Sequence, residues 1–359
     1  MEEFCPYRIC PIGAHIDHQY GVVSGACVDI GIRFIYDKLD YCKFTLKSKN
    51  YKENIEFDLS DLDRKYDWAD YFRGVIYLLS SKYVIRFGIS GLFIGDLPSG
   101  GISSSTASMI VFVSALSKVN NILLNNEELI ELVFKVEKEY MGLSIGLLDP
   151  SSIIYGKSDC LMFLDTLTNY YQLIENKFFN EFYEFIIIYS GVKRELVKSN
   201  YNKRVEECNL IHDKIGGVNL SGKLRDIPDY CFYDNTSYLD DSLVKRGIHY
   251  YQEMIRVKKA LRFWRNNDMV SFGNLMNESC LSSIYNYESG SDTLIEIFNI
   301  FKNIEGVLGV RFLGAGFDGS CLGLIEKSRF ESIKKEFGIK YCNKESKIIR
   351  VKIVDGVGI

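Results

Sequence analysis

The stretch Asp96-Leu97-Pro98-Ser99-Gly100-Gly101-Ile102-Ser103-Ser104-Ser105-Thr106-Ala107-Ser108 constrains this chain more than any other. An apolar run, Ile89 to Ile94, leads into it, and an apolar-periodic run, Met109 to Leu116, follows. That order predicts a strand, a glycine turn and a helix N-terminus. Adjacent glycines let the backbone approach a ligand and aim successive N–H groups at one spot. The first helical turn adds unpaired donors and the positive end of the helix dipole, so the stretch reads as an anion site. Three consecutive serines set hydroxyls beside it, within reach of a phosphate or a bound cation. The competing reading is a helix capped by serine, which is common in soluble proteins. It is not a Walker A loop, because no Gly-Lys-Ser/Thr follows.

The remainder of the chain narrows the class. Its 359 residues leave room for two domains or one large α/β unit with an ample core. A net charge of −4 without a long Lys/Arg block leaves no electrostatic footprint for nucleic acid. The longest apolar stretches, such as Phe185 to Tyr189, are strand-length, so no membrane span is expected. Met1-Glu2-Glu3 lacks the pattern of a secretory leader. The ten cysteines are scattered, with no C-x-x-C pair, and Cys160 and Cys321 sit inside apolar runs. Reduced, buried thiols and a cytoplasmic location are therefore expected.

Short β-like runs open the chain: Tyr7 to Cys10, Val22-Val23 and Cys27 to Ile30, broken by glycine. Tyr41 to Lys47 and Asn54 to Leu59 alternate like antiparallel strands. Helical spacing predicts helices over Trp68 to Leu79, Asn126 to Tyr140 (N-capped by Asn125 or Asn126), Glu195 to Asn209, Ser242 to Trp264, Asp268 to Ser279, Asp292 to Asn303 and Lys327 to Glu336. A hairpin is expected from Cys160 to Leu173, and strands over Phe185 to Tyr189, Cys321 to Ile325 and Ser346 to Ile353. Ile284 to Gly290 reads as a loop, and Gly216 to Ser237 gives no clear pattern. Strands first and helices later favour an α+β architecture over a doubly wound sheet. With five prolines and no flexible linker, any two domains should pack tightly.

Three glycine-rich segments frame the candidate chemistry. Besides the opening stretch they are Gly142 to Pro150 and Gly309 to Ser320, the latter also readable as a tight β-turn. Asp17 and Asp149 lie in loops beside glycine, where a carboxylate can reach a ligand, although Asp before Pro is commonly a turn residue. Arg8 is a cation in an apolar run, suited to offset a carboxylate or to lie on an exposed strand face. His15 and His18 lie on a loop without a second ligand pair, which is poor support for zinc.

Together these segments resemble the GHMP kinase superfamily, and within it the galactokinase-like sugar 1-kinases. Arg8 to His18 resembles R-x-N-L-I-G-E-H-x-D-Y, and Trp68 to Gly74 resembles W-x-x-Y-x-x-G. Pro98 to Ala107 is similar to the family's phosphate loop, and Gly142 to Asp149 to G-x-x-x-G-x-M-D. Tyr201 to Arg204 matches Y-N-x-R, Arg246 to His249 matches R-x-x-H, and Gly309 to Cys321 resembles G-x-R-x-x-G-G-G-F-G-G-C. The resemblance implies a two-lobed α+β fold with mixed sheets and packed helices, its active site between the lobes. It divides the chain into an N-terminal domain, 1–180, carrying the phosphate loop, and a C-terminal domain, 181–359.

It also implies roles. ATP would rest on Pro98, Gly100, Gly101, Ser103, Ser104 and Ser105, with Mg²⁺ held by Ser104 or Ser105 and by Glu137 or Glu139. Asp149 matches the catalytic aspartate and Arg8 its partner, whose charge favours a carboxylate able to accept or orient the anomeric proton. His15 and Asp17 match residues that hold sugar hydroxyls, and Gly314, Gly316 and Gly319 belong to the third motif. A sugar-side tyrosine is expected among Tyr230, Tyr233 and Tyr238. The implied partners are a sugar or sugar acid and ATP, acting on a monomer.

Departures from the pattern bear on the substrate. Where galactokinases carry a glutamate for the C6 hydroxyl, this chain has Ala14. A carboxylate there would repel a carboxylate at C6 by ~4 kcal/mol, for charges ~4 Å apart at an effective dielectric near 20. Its loss removes that repulsion, and it costs a neutral sugar a charge-assisted hydrogen bond of roughly 1.5–3 kcal/mol. Both effects favour a uronic acid. Tyr7 to Gln19 and the short Asp96 to Gly101 turn also resemble galacturonate kinases. The expected reaction is phosphorylation of D-galacturonate at C1. Galactose, glucuronate and arabinose are alternatives, as is a non-catalytic sugar sensor, which a complete Ser103 to Ala107 segment opposes. Pro150, Ala315, Asp318 and Ser320 also depart from the motifs.

Overall fold

The computed structural model describes residues 1–97, 101–192, 201–216, 221–316 and 319–358. β1 (Glu2–Ile9) pairs antiparallel with β2 (Val22–Leu39), an 18-residue strand. The sequence reading split β2 into short runs at its glycines. The chain instead runs through Gly25 and Gly31, because helix and strand neighbours lie too close there for a side chain. From Ile32 to Asp37 burial alternates, with Ile32, Phe34 and Tyr36 inside and Arg33, Ile35 and Asp37 outside, as one covered face requires.

β3 (Lys43–Ser48) and β4 (Ile55–Asp58) form the expected antiparallel pair, but β3 also pairs with β5 (Gly88–Gly95) in parallel. The parallel crossover is made by α1 (Asp70–Ser80). α2 (Ser104–Asn120) packs on this sheet. Its Phe112 meets Phe34, Phe44 and Phe72 at ring separations of 6.0, 6.2 and 5.0 Å. α3 (Asn126–Lys135) starts with a capping box between Asn125 and Glu128, then passes into a π turn at Val136–Tyr140. α4 (Leu148–Tyr155) precedes the hairpin of β6 (Cys160–Asp165) and β7 (Tyr170–Glu175). Among the described residues this sheet has eight strands in the order β4-β3-β5-β2-β6-β7, with β1 and a late strand, β12 (Ile353–Val354), also on β2.

The short helix α5 (Phe179–Phe182) leads to β8 (Tyr183–Tyr189). α6 (Tyr201–Ile215) runs beyond the predicted end at Asn209, and residues 195–200 of that prediction lie outside the described residues. α7 (Asp229–Asp234) falls in the segment without a clear pattern. α8 (Asp241–Arg265), α9 (Met269–Ser282) and α10 (Asp292–Phe301) follow. The first part of Ile284 to Gly290, predicted as loop, instead belongs to a π turn, Ser283–Tyr287, that continues α9 and buries Tyr287. β9 (Val307–Phe312), β10 (Ser320–Glu326), α11 (Phe330–Lys340) and β11 (Lys347–Val351) complete a second, antiparallel sheet ordered β11-β8-β10-β9. β12 (Ile353–Val354) returns to β2.

β8 sends alternate residues to two cores. Phe185, Ile187 and Tyr189 join the central core with β1, β2, α2 and α9, while Ile186 and Ile188 join a second core under α10 and α11. Trp264 of α8 packs at a tilt against Phe179 and Phe272 and donates its indole N–H to Ile174 O at 2.7 Å. The central core therefore draws on both sheets, and the architecture is α+β with two lobes.

Candidate active site

Arg8, next to last in β1, is buried and lies opposite Cys27 of β2. Its Nε donates to Asp149 Oδ1 at 2.7 Å and its Nη1 to Gly101 O at 3.0 Å. One guanidinium thus joins the Asp149 loop to the glycine turn, which removes the exposed-face reading of Arg8. Burial opposes its charge, but Asp149 outweighs that, and the Arg8 pKa is raised. Asp149 sits in the first turn of α4, where the helix dipole favours an anion. Pro150 is tolerated beside it because a first-turn N–H needs no helical partner. The cap position of α4 is Leu147, so Asp149 is not the capping residue, and it is paired with Arg8.

α2 begins at Ser104, preceded by Ser103 in a left-handed conformation at φ 58°. The Ser103 hydroxyl is buried without a hydrogen-bond partner among the described residues. Ser105 and Thr106 donate their hydroxyls to Glu137 Oε1 at 3.2 and 3.3 Å. The π turn after α3 directs Glu137 inward, while Glu139 is exposed. Burial, and then Asp149, push the Glu137 carboxyl up to about 8, against the hydrogen bonds from Ser105 and Thr106. Gly101 and Gly314 touch: a Cβ on Gly314 would lie 2.7 Å from Gly101 Cα, and both residues have positive φ. The third glycine motif therefore joins β9 to β10 and also packs against the glycine turn that precedes α2. Gly316 and Gly319 continue that motif, Gly316 accepting from Ser291 N and Gly319 from Ser190 N. Pro98, Ser99, Gly100 and Asp318 lie outside the described residues.

The loop between β1 and β2 forms the other side. Gly13 N–H donates to Glu253 Oε1 at 2.9 Å, and His249 Nε2 lies 3.0 Å from Ala14 O. A carbonyl only accepts, so His249 carries its proton on Nε2, and Nδ1 accepts from Ser282 Oγ at 2.9 Å. His15, at φ 61°, stacks on Tyr287 with centroids 4.4 Å apart. Burial, then His249 and Arg311, lower its pKa well below the usual value, so the ring is neutral. Asp17 opens a short 3₁₀ turn, Asp17–Gln19. A Cβ on Gly146 would fall 2.4 Å from its Oδ2, so the middle glycine segment admits this carboxylate. Burial, and then Asp149, push the Asp17 carboxyl up to about 6.

The structure thus brings together Arg8, Asp17, Gly101, Ser105, Glu137, Asp149 and Gly314, with Ala14 and His15 on the adjoining loop. It also identifies residues that the sequence reading missed. The Tyr201 ring lies 6.3 Å from His15 and 5.8 Å from His18, and the charges of Asp17 and Asp149 reach its hydroxyl. Tyr230, Tyr233 and Tyr238 are instead 64, 45 and 74% exposed. The signal for Tyr201 was present in Tyr201-Asn202-Lys203-Arg204. Glu253, fully buried, holds Gly13 and pairs with Arg256 at 2.6 Å. Its partners override the effect of burial and hold its carboxyl down at about 2.

Two lobes meeting at a Gly/Ser helix N-terminus, with a buried arginine paired to a part-buried aspartate beside it, define a kinase of the GHMP class, and residues 70–157 match the GHMP kinases N-terminal domain. A galacturonokinase of Arabidopsis thaliana is 32% identical over 355 residues, covering 91% of this chain and 83% of that protein. A galactokinase of Staphylococcus carnosus is 33% identical over 369 residues, covering 99% and 93%. The fold matches the crystal structure of Lactococcus lactis galactokinase complexed with galactose at a TM-score of 0.90 and 28% identity, over 99% of this chain and 94% of that one. The chain belongs to the galactokinase-type GHMP kinases, ATP-dependent enzymes that phosphorylate a sugar at C1.

Proposed function

We propose that this kinase phosphorylates D-galacturonate at its anomeric hydroxyl, giving galacturonate 1-phosphate and ADP. The observation that carries the proposal is Ala14, standing where galactokinases have a carboxylate, in a loop that keeps His15 and Asp17 and is pinned by His249 and Glu253. The missing carboxylate removes ~4 kcal/mol of repulsion toward a C6 carboxylate. Overall likeness does not separate the alternatives, since a galacturonokinase and a galactokinase match at 32 and 33% identity. Galactokinase is the second reading, favoured by the fit to the galactose-bound Lactococcus lactis enzyme.

In this proposal Asp149 orients the C1 hydroxyl and accepts its proton, while Arg8 holds Asp149 and balances charge as the oxygen attacks the γ-phosphate. Rate enhancement would come from positioning and electrostatics. The triphosphate would rest on Gly101, Ser103, Ser104 and Ser105, together with Pro98 and Gly100. His15 and Asp17 would hold sugar hydroxyls, and Gly314, Gly316 and Gly319 would close the phosphate turn. Ser105 and Glu137 suit Mg²⁺: they are hard oxygen donors in contact, and among the described residues the buried carboxyl has only hydroxyl partners. That ion would neutralise charge on the phosphate oxygens. The lobes would divide near residue 180, and the enzyme would act as a cytoplasmic monomer.

ADP release with galacturonate, glucuronate, galactose and arabinose tests the substrate. We expect the highest kcat/KM for galacturonate, and for Ala14→Glu a shift of that ratio toward galactose by roughly a hundredfold or more. A wild-type preference for galactose over every uronate contradicts the proposal.

A further inference from the structure

A sugar acid carries a charge that a neutral sugar lacks, so its site needs a cation not already neutralised by the protein. Most cations around the loop of Ala14 to Gln19 are committed. Arg8 is paired with Asp149, Arg256 with Glu253, and Arg246 with Glu207 and Glu288. Arg311 is 1% exposed and bonded to Phe312 O and Ser279 Oγ. Lys223 differs. It is half-buried, its ammonium meets Asn209 Oδ1 at 3.1 Å, and no carboxylate of the described residues lies within 4 Å of it.

Lys223 is also tied to the sugar loop. Gln19 Nε2 donates to the same Asn209 oxygen at 2.9 Å and lies 3.0 Å from His18 Nδ1. Gln19 Oε1 accepts the N–H of Leu224, the next residue after Lys223, at 3.0 Å. That contact fixes the Gln19 amide, so Nε2 is its donor end and His18 Nδ1 accepts. The His18 proton is then on Nε2, donated to Tyr287 OH at 3.1 Å, beside the stacked ring of His15. An ammonium has three N–H donors. One is used on Asn209, leaving two for the oxygens of a carboxylate. Burial, and then the like charge of Lys138, lower the Lys223 pKa, as expected of a cation without a counter-ion.

We propose that Lys223 is the specificity-determining cation that receives the substrate's C6 carboxylate, an inference that rests on the sugar-acid reading above. The substrate supplies the counter-ion that the fold omits, and the anchorage through Gln19 keeps the ammonium in register with Asp17 and His15.

The test is steady-state kinetics of the full chain with Mg-ATP on galacturonate and galactose, for wild type, Lys223→Met and Lys223→Arg. Lys223→Met should raise the galacturonate KM roughly tenfold or more while leaving the galactose KM unchanged. Lys223→Arg should keep most of the galacturonate preference. An unchanged galacturonate KM in Lys223→Met, or an equal rise for both sugars, overturns the role of Lys223 while leaving the substrate reading intact. A wild-type enzyme that prefers galactose overturns the substrate reading itself, and this inference with it. Thermal unfolding with and without ATP identifies a misfolded variant, and Lys223→Gln then provides the same comparison.

Discussion

Asp17 is a residue whose place in the site works against the fold. Its carboxyl is pushed up to about 6 from an ordinary 3.8, chiefly by burial and then by Asp149. Because the folded form favours the proton, Asp17 stabilises the fold fully below pH ~4, and that contribution is lost as pH rises through ~6. The difference between the two limits is on the order of 3 kcal/mol. Asp17→Asn should therefore melt higher than wild type at pH 8 and show little advantage at pH 4. The same variant should raise the sugar KM, because it removes an ionised acceptor of hydroxyl protons. For wild type, sugar affinity should weaken as pH falls below ~6. Melting curves at the two pH values and KM against pH check this; an Asn variant with wild-type KM would remove Asp17 from the sugar site. Arg8, Asp17 and Asp149 were legible because short motifs carry them. Tyr201 also lies in such a motif, but its place beside His15 does not follow from it, and Glu253 and Lys223 were harder to see because their contacts run across the chain, as with Glu253 and Gly13, 240 residues apart.

At the scale of elements, the contact between the phosphate turn and the β9–β10 turn makes a sharper demand than either glycine motif alone. Gly314→Ala would set its methyl carbon 2.7 Å from Gly101 Cα and Gly101 O, with backbone on both sides unable to yield. We expect a loss of about 1–3 kcal/mol in stability. The ATP KM should rise at least about tenfold, with a smaller change in sugar KM, because in the proposed function the displaced turn carries the phosphate contacts and the β1–β2 loop the sugar contacts. Initial rates against ATP and against sugar separate these effects; an unchanged ATP KM would dissociate Gly314 from the nucleotide side. Most helices were legible from apolar spacing and from caps such as Asn125 with Glu128. β2 was not, since its glycines, read as breaks, are sites of close packing. The π turns were hidden for a similar reason: the pattern at Val136–Tyr140 continues a helix, and only the added residue turns Glu137 inward.

Across the whole molecule, the last strand completes the lobe begun by the first. β12 pairs Ile353 with Val28 and Val354 with Cys27, and Cys27 lies opposite Arg8 on the other side of β2. Beyond it, Gly356 N–H donates to Gly156 O at 2.8 Å and Val357 N–H to Ile153 O at 3.0 Å. These bonds occupy carbonyls at the C-terminal end of α4, groups that a helix leaves without internal partners. The N-terminal end of α4 carries Asp149. The tail therefore braces α4, which carries Asp149, and β2, the strand against which the Arg8 strand pairs. A chain ending at Lys352 would lose the burial of Ile353 and these backbone bonds, together on the order of 4 kcal/mol. It should melt several degrees lower. The telling effect is on catalysis: kcat should fall further than either KM rises, because α4 can tilt and misalign Asp149 while the phosphate turn and sugar loop keep their own contacts. Kinetics at saturating ATP and sugar, run well below the lowered melting temperature, distinguish misalignment from unfolding. A truncated chain with reduced stability but wild-type kcat would show that the tail supports the fold alone, and that β1, β2 and α4 hold the pair without it.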